Sequence, residues 1–591
     1  MIGVSEKRPG RDQGLALLVL VAAIGFASSW LFLRHLHGAS ETIDVARRER
    51  NAEVLARAKE ALIGYVAMKA ADPDERNPGR LPCPEPAAWA GIEAAEGVAA
   101  PGVQGGISVP SCTSVGRLPW RTLGLGPLVD AHGEPLWYVV GPGWRLTTGA
   151  SLLEIHSDRG GTLTVDGQQG QVVALIIAPG PALEVAAAPG CAARDQRHPS
   201  TGRRKAAPGI DPRNYLECFD EAALAFSTRS PATSFNDQVV AVTAAELMPA
   251  IEAAIAKRIE SQIVPRLKEV YTPAGWGFAG TAPLYPFAAP FENPGPGPGT
   301  SSYRGVAGTY AGLLPFNQTQ NCTPSPDNPR CVPDFLVFSK ATPDVQVGGS
   351  GSIRTQSSCT WQGDTFICEG EYGEPSIALE VRVRIANVAM GLRRFAPAGI
   401  AVVAQDDYWG PGGNPPTASG AQAVPHQAVV TLQPDGSALL SVKTDLLPDI
   451  GTAGWGTYAR YLVRIPRATI GDHALLDASD DTTGWFVRNR WFRLLYYAVA
   501  PGHTATALPS PPACTTGVDC LSVANLEPQT AQHAFLILAG RNLGSLPRPS
   551  GSLAAYLEAG NAGGAYERRP TSRAFPPFND RFVVIAQNPS P

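Results

Sequence analysis

Seven segments of this 591-residue chain recur in the same order in its second half, and this internal repeat constrains the fold most strongly. A long stretch with helical spacing of apolar residues opens each copy, at 43–69 and again at 244–271. The other six pairs are 79–84 with 284–290, 116–120 with 312–316, 135–140 with 493–499, 171–180 with 532–540, 214–217 with 555–558, and 234–240 with 577–583. Because an ordered set of segments specifies one kind of unit, we predict two copies of one α+β unit.

Each copy is predicted to pack its long helix on an antiparallel sheet. Apolar strands need neighbours on both sides to pair their backbone groups, and they need a helix to cover one face. Strand 172–178 should therefore take the place that 533–539 takes in the second copy. Strand 238–242 should likewise correspond to 581–585.

Residues 317–492 have no counterpart in the first copy. Within them, four segments alternate apolar and polar residues with a period of two, as half-buried antiparallel strands do. These segments are 376–386, 427–432, 438–442 and 458–465. We predict that 334–470 form an inserted β-sandwich-like domain.

An apolar run of nineteen residues without a charge, Leu15–Leu33, precedes the first helix. A membrane span needs ~20 such residues, so the run predicts a retained anchor, and a cleaved secretory signal with an apolar region of ~7–15 residues is the alternative. Lys7, Arg8 and Arg11 precede the run and favour a cytoplasmic N-terminus, but arginines also follow it. The orientation therefore needs independent support.

The ten cysteines supply that support, because they fall into neighbouring couples, all after residue 82. Local couples in even number are typical of disulfides formed in an oxidising compartment. Zinc knuckles would need Cys-x2-Cys spacings, which are absent, and free buried thiols remain an alternative. The couples are Cys83 with Cys112, Cys191 with Cys218, Cys322 with Cys331, Cys359 with Cys368, and Cys514 with Cys520. We predict that they are disulfides and that the bulk of the chain lies in the periplasm.

Composition excludes some functions. With 48 Lys and Arg against 52 Asp and Glu, the net charge of -4 gives no reason to expect nucleic acid as a partner. The chain has no phosphate-binding Gly-x-x-x-x-Gly-Lys-Ser/Thr, no Gly-x-Ser-x-Gly and no His-Glu-x-x-His. We predict no catalytic residues and a non-enzymatic protein, although an enzyme of unrecognised type remains an alternative.

The segment 477–484 holds the best candidate for a bound cofactor, a Ca²⁺ ion, and no other cofactor is predicted. Asp477, Asp480 and Asp481 bring hard carboxylate oxygens close together, but the terminal Glu of a twelve-residue calcium loop is missing. An acidic turn or helix cap is the alternative. The pairs Asn236-Asp237 and Asn579-Asp580 are predicted to form turns ahead of a last strand.

Several aromatic residues of the second half are candidates for a surface that binds a sugar or a protein. Packing in a core is the alternative, and the physically stronger one for large apolar rings. These residues are Trp409, Trp455, Tyr458, Trp485 and Trp491.

Arg11-Asp12-Gln13-Gly14 followed by an apolar run resembles the N-terminus of type IV pilin-like proteins. The segments Gly79–Pro84 (GRLPCP) and Gly116–Gly124 (GRLPWRTLG) resemble those of bacterial type II secretion pseudopilin-like proteins, and the resemblance covers about 11–140 well. It implies cleavage by prepilin peptidase between Gly14 and Leu15, anchoring in the bacterial inner membrane, and assembly with other pilin-like subunits and their secretion or pilus machinery.

One position departs from the family. Major pilins carry Glu at the fifth position after the cut, where it pairs with a neighbouring subunit, and this chain carries Val19. Minor pseudopilins at the tip of the assembly tolerate that loss, so the resemblance implies a tip or initiating subunit. It also leaves room for a chain that is never cleaved.

These observations predict an α+β fold in which an N-terminal transmembrane helix continues into a long helix, followed by two pilin-like antiparallel-sheet heads. The predicted parts are a leader-like segment 1–14, a transmembrane and stalk helix 15–70, a first head 71–242, a second head formed by 243–333 and 471–591, and the inserted domain 334–470. The predicted function is that of a single-pass minor pilin-like subunit with its bulk in the periplasm or on a pilus-like fibre. The alternative is a stand-alone anchored periplasmic protein whose inserted domain grips a glycan or a protein.

Overall fold

The computed structural model describes most of the chain after residue 42. The described residues are 43–86, 89, 93–104, 107–109, 111–145, 154–181, 183, 216–217, 224–228, 235–295, 300–318, 331, 335–340, 344–346, 353, 357–372, 377–406, 421–448, 459–515, 519–573 and 577–588. The predicted leader-like segment and the apolar run therefore lie outside them. Within these ranges, no helix combines the length and the apolar character that crossing a membrane requires.

The protein is an α+β structure with several antiparallel sheets, as predicted in outline. It divides into two compact units. The first contains the described residues of 43–62, 82–145 and 161–243, and the second contains those of 63–81, 154–160 and 244–588.

Helix α1 covers residues 43–71, close to the predicted 43–69. Its first eight residues, 43–50, are all exposed, and burial begins at Asn51. In the first unit, Leu55, Ala58 and Leu62 are buried at a spacing of three and four, which places them on one face of the helix. The amphipathic stripe of the sequence is thus the buried face.

The first unit contains a six-stranded sheet and a two-stranded ribbon, β1 with β2. The strands are β1 Gly102–Gln104, β2 Ile107–Val109, β3 Val115–Arg117, β4 Trp137–Val140, β5 Leu163–Val165, β6 Gln168–Ala178, β7 Ala225–Phe226 and β8 Gln238–Thr243. β6 is central, because it pairs antiparallel with β4, β5 and β8. The Lys59 ammonium donates to the Ala241 carbonyl at 2.8 Å and so joins α1 to β8.

The second unit opens with the predicted second helix, which is divided by a π-helical turn. It consists of α2 Ala244–Arg258, the π turn Ile259–Ile263 and α3 Val264–Lys268, followed by α4 Pro273–Trp276 and, later in the chain, α5 Gly484–Arg488. Pro265 lacks the N–H that would bond to the carbonyl four residues earlier, and its ring crowds that carbonyl. The wider π turn directly before Pro265 accommodates this missing bond.

Sixteen strands of the second unit form three larger sheets and one ribbon. They are β9 Ala311–Leu313, β10 Val337–Lys340, β11 Asp344–Gln346, β12 Ser358–Gln362, β13 Thr365–Tyr372, β14 Ala378–Ala386, β15 Arg393–Phe395, β16 Ala401–Asp406, β17 Gln422–Ala423, β18 His426–Leu432, β19 Ala438–Thr444, β20 Ala459–Pro466, β21 Ile470–Asp472, β22 Leu495–Val499, β23 Gln532–Leu538 and β24 Arg581–Gln587.

The two units share one sheet topology. The first contains the order β3-β4-β6-β8, and the second contains β9-β22-β23-β24, with every pair antiparallel. β6 and β23 hold the same central place, and β8 and β24 follow them at the same edge. The predicted correspondences of 172–178 with 533–539 and of 238–242 with 581–585 are therefore confirmed.

The pairing register of these strands agrees residue by residue between the two units. In the first unit one row runs Gly116, Tyr138, Ile176 and Val240; in the second it runs Gly312, Tyr497, Leu536 and Val583.

A buried tyrosine hydroxyl marks the same place in each row. Tyr138 donates to the Pro82 carbonyl at 3.1 Å, and Tyr497 donates to the Pro286 carbonyl at 3.0 Å. A phenol buried this deeply needs an acceptor, and both copies supply it from the same Pro-containing segment.

The residues without a counterpart in the first copy form two facing sheets, of order β10-β14-β19-β18 with β11 on β14, and β12-β13-β20-β16-β17. Phe338 of the first sheet lies 5.0 Å from Trp361 and 5.7 Å from Phe366 of the second, measured between ring centroids. All four strands predicted by alternation are present, as β14, β18, β19 and β20. We call these two sheets the inserted module.

The repeat does not predict where residues 63–81 belong. By order in the sequence they should complete the first copy, but they pack within the second unit. Arg258 of α2 donates to the carbonyls of Pro73 and Glu75, both at 3.0 Å, and its guanidinium lies 4.2 Å from the Trp485 ring centroid. These contacts link residues far apart in the sequence.

Candidate functional site

A glutamate and an aspartate of the second unit cap each other's backbone. Glu558 Oε2 accepts hydrogen bonds from the backbone N–H groups of Asn579 at 3.0 Å and Asp580 at 3.1 Å. In return, Asp580 Oδ2 accepts from the N–H of Glu558 at 3.0 Å and from Asn561 Nδ2 at 2.8 Å. The pair fastens the loop around Glu558 to the start of β24.

The first unit repeats this arrangement. Glu217 Oε2 accepts from the N–H groups of Asn236 and Asp237, both at 3.1 Å, and Asp237 Oδ2 accepts from the N–H of Glu217 at 2.9 Å. We call the two arrangements the carboxylate clasps. Each fastens a loop to the start of the last strand of its sheet, which is β8 or β24.

Sequence reasoning found the members of each clasp but did not join them. Neither Asn-Asp pair forms the predicted turn, and the sequence gives the glutamates only as members of repeated segments. The signal that could have found the clasps is that Glu and Asn-Asp recur together, about twenty residues apart, in both copies.

Asp580 is only 2% exposed, and its Oδ1 makes no hydrogen bond of normal geometry among the described residues, although the side chain of Glu558 lies close enough to interact with the carboxyl group. Burial, followed by the charge of Glu558, raises the pKa of Asp580 to about 8 from an ordinary 3.8. The raised pKa favours the protonated form of Asp580, which lessens the repulsion between two closely spaced carboxylates.

Asp580 also lines a cleft of about 590 Å³ in the second unit. Helix α2, the start of β24 and the loop 568–571 form its walls. Four cationic side chains and one further carboxylate, Glu260, line it with Asp580, and Phe582, Val583 and Pro570 add apolar surface. The cationic residues are Lys257, Arg568, Arg569 and Arg581.

The cleft is lined mainly by charged and apolar side chains. Thr571 and Lys257 also line it, and one oxygen of the Asp580 carboxyl group is engaged in the clasp. Arg581 donates to the Pro249 carbonyl at 3.0 Å, and burial lowers its pKa. Since β24 is the last strand of its sheet, the lining combines a strand edge with positive charge. Such a surface suits an extended, acidic segment of another protein.

Three of the five predicted cysteine couples are bonded in the structure: Cys83 with Cys112, Cys359 with Cys368, and Cys514 with Cys520. Cys331 is also disulfide-bonded, but its predicted partner, Cys322, lies outside the described residues, as do Cys191 and Cys218. The processing residues Gly14 and Leu15 lie outside them too.

The candidate calcium residues each make separate local contacts. Asp477 Oδ1 accepts from the backbone N–H of Ser479 at 2.8 Å, and Asp480 Oδ1 accepts from that of Thr483 at 2.7 Å, just before α5. Asp481 pairs with Arg76 at 2.6 Å, and both side chains are largely exposed. The structure does not bring the three carboxylates together as a ligand set within the described chain. Their contacts are those of an acidic turn ahead of a helix, the alternative interpretation of the sequence.

Two of the five aromatic residues proposed as a binding surface are buried in the structure. Trp485 and Trp491 are 1% and 0% exposed, and so pack in the core of the second unit. Trp409, Trp455 and Tyr458 lie outside the described residues.

The chain matches no protein-family model, no curated protein and no solved structure.

Proposed function

We propose that this protein is a non-enzymatic minor pilin- or pseudopilin-like subunit of an envelope-spanning pilus or type II secretion-like assembly. The observation that carries the proposal is the α+β unit that occurs twice with one strand order and one register. The N-terminal resemblance implies that each such unit is a pilin-like head. In this proposal the chain carries two heads, the second of which is enlarged by the inserted module.

The start of α1 supports an anchored stalk. Residues 43–50 are helical and all exposed, so these two turns do not pack on the first unit. In the sequence they are preceded by the uncharged run 15–33, whose length fits the apolar part of a bilayer. In the proposal this run anchors the chain in the inner membrane and enters the helical core of the assembly.

The disulfides support a periplasmic location for the bulk of the chain. Bonded couples occur in both units, and bonded cysteines persist where thiols are not kept reduced. The cleft supports a role in protein contacts, because its strand edge and its arginines suit a neighbouring subunit with an acidic segment.

Processing by prepilin peptidase tests the proposal. The protein is expressed in a host with and without this peptidase, isolated from membranes, and its N-terminus is determined by mass spectrometry. We expect a start at Leu15 in the competent host only, and the variant Gly14→Val should remain uncleaved. A start at Met1 or near Ser40 in the competent host would refute the pilin-like assignment.

The inserted module favours one second candidate function. The described residues of the first copy form no counterpart of its two facing five-stranded sheets, so these sheets are not needed to build the repeated unit. A stand-alone anchored protein could use them to grip a glycan or a protein. An uncleaved N-terminus together with glycan or protein binding that requires the module would favour this candidate.

A further inference from the structure

Two histidines and a half-cystine lie together in the second unit, outside the lining of the cleft. The potential ligand atoms of His503, Cys514 and His533 all lie within 4.8 Å of one another. Of the His, Cys, Asp and Glu residues that the structure describes, these alone form such a group of three. The imidazole rings stack with centroids 3.8 Å apart and planes inclined by 14°.

His503 brings an unsatisfied polar ring into the interior. It is 1% exposed, and neither of its ring nitrogens makes a hydrogen bond of normal geometry within the described structure; the backbone of Pro283 is near enough only for a weak contact. The backbone around it is fixed, since its carbonyl accepts from the N–H of Tyr285 at 2.8 Å. A buried polar group without a partner is destabilising, and a ligand at the ring nitrogen would relieve that cost.

His533, on β23, makes one hydrogen bond through its ring. Its Nε2 lies 2.7 Å from Asn588 Oδ1, and with an acceptor there the tautomer protonated at Nε2 leaves Nδ1 with the lone pair that a metal needs. An acceptor on the far nitrogen is the usual outer contact of a ligating histidine.

Burial favours the neutral form of both rings, which is the form that binds metals. Burial, together with the neighbouring His533, lowers the pKa of His503 to about 4, and burial also lowers the pKa of His533. Neutral imidazoles need lose no proton to become ligands at neutral pH.

The backbone holds Cys514 beside this pair. The N–H of Ala513 donates to the carbonyl of Gly502 at 3.2 Å, which places Cys514 next to the turn that ends at His503. A Cβ atom on Gly502 would lie 1.9 Å from the Ala513 carbonyl oxygen, so only glycine permits this approach. Cys514 is partly exposed, and reductants can therefore reach its bond to Cys520.

We propose that reduction of the Cys514–Cys520 disulfide converts this group into a three-ligand site for Zn²⁺. A small dithiol supplies two electrons and two protons, becomes a disulfide itself, and leaves two cysteine thiols. The Cys514 thiol then releases its proton as its sulfur binds the metal. Two imidazole nitrogens and one thiolate are a donor set that zinc prefers, with a fourth position open to water.

The site needs only local side-chain movement to form. Zinc bonds of about 2.0–2.3 Å place tetrahedral ligand atoms roughly 3.3–3.8 Å apart, so the three atoms must approach by about 1 Å. The stacked rings must also turn so that their lone pairs converge. With the disulfide closed, Cys514 offers no thiolate, and the site lacks its sulfur ligand.

The variant Cys520→Ser tests the proposal, because it frees Cys514 while leaving the other disulfides intact. Co²⁺ and then Zn²⁺ are titrated into this full-length variant. We expect one ion per chain, a thiolate-to-cobalt charge-transfer band, and loss of that band when Zn²⁺ displaces the cobalt. The oxidised wild-type protein should bind more weakly by more than the ~10–100-fold that loss of an outer contact costs, because it lacks a direct ligand.

The matched control is Cys514→Ser combined with Cys520→Ser, which lacks the same disulfide but has no thiolate at position 514. It should show no charge-transfer band, and His533→Gln in the Cys520→Ser background should weaken binding at least ~10-fold. If Cys520→Ser does not fold, the wild-type protein after limited reduction by a dithiol replaces it, with alkylation identifying the opened bond. Absence of the band, or equal binding by the control, would overturn the proposal.

Discussion

The carboxyl group of Asp580 shows how much the chemistry of one residue depends on a distant partner. In the sequence it is half of an Asn-Asp pair, a combination that predicts a turn. In the structure it is buried against Glu558, and the raised pKa follows from that burial and from that neighbour. The clasp is therefore expected to make the stability of the second unit depend on pH.

The clasp predicts that wild-type stability falls as pH rises. The folded pKa of Asp580, about 8, lies above its ordinary 3.8, so between these values the folded state holds a proton that the unfolded state releases. One proton changes the free energy of unfolding by at most about 1.4 kcal/mol per pH unit. Asp580→Asn should remove this contribution, which urea unfolding at about pH 5 and pH 8 would measure.

The exposed Asp445 provides a control for that measurement. Asp445→Asn should retain the pH dependence of the wild type. An equal dependence in wild type and Asp580→Asn would show that Asp580 is charged in the folded protein at neutral pH.

At the scale of the element, the two copies agree most closely at one crossing of backbones. There β3 in the first unit and β9 in the second each pair with the segment that follows the long helix of the copy. Arg117 and Glu85 exchange two backbone hydrogen bonds at 2.9 and 3.0 Å, and Leu313 and Ala289 exchange two at 2.8 and 3.0 Å. A glycine precedes the strand residue in both cases. Its missing side chain lets the two backbones meet.

We predict that Gly116→Ala and Gly312→Ala each destabilise the unit that contains the substitution. The added Cβ would lie 2.3 Å from the Glu85 carbonyl oxygen in the first case and 2.0 Å from that of Ala289 in the second. Such overpacking against backbone typically costs ~1–3 kcal/mol, measurable by urea unfolding.

Gly64→Ala is the matched control for this prediction. Gly64 is an exposed position within α1, and its added Cβ would meet no atom within 4 Å. It should stabilise the protein by ~0.5–1 kcal/mol, because alanine has the higher helix propensity. If Gly116→Ala and Gly312→Ala were as stable as Gly64→Ala, the close crossing of the backbones would be excluded.

At the scale of the whole molecule, the disulfides close short local loops in each unit. Their sequence separations are 29 for Cys83–Cys112, 9 for Cys359–Cys368 and 6 for Cys514–Cys520. Bonds between near neighbours staple individual loops and hairpins, and the paired cysteines of β12 and β13 lie directly opposite each other.

We predict that protein isolated from the periplasmic face of its membrane has no free thiol. Maleimide labelling of the unfolded, non-reduced chain should give no added mass, and labelling after reduction should modify ten cysteines. Ten labelled cysteines without reduction would refute both the disulfides and the periplasmic location. The same chain expressed without residues 1–33 in a reducing cytoplasm is the control, and it should be labelled without prior reduction.

The sequence alone determined the features that depend on the order of its repeated segments and on the local alternation of apolar and polar residues. The repeat predicted the places of β6 and β23 and of β8 and β24, because one ordered set of apolar segments supports one arrangement of strands. A period of two predicted β14, β18, β19 and β20, since alternate residues of a strand face opposite sides.

The tertiary structure alone decided which distant residues meet. Residues 63–81 joined the second unit through Arg258, Glu558 met Asp580, and His503 came to stack on His533. No periodicity records such contacts, because they depend on how loops return across a sheet, and loop paths are set by packing that involves the whole unit. The acidic turn at 477–481 shows the converse: three neighbouring carboxylates do not converge when each already has a local donor or cation as its partner.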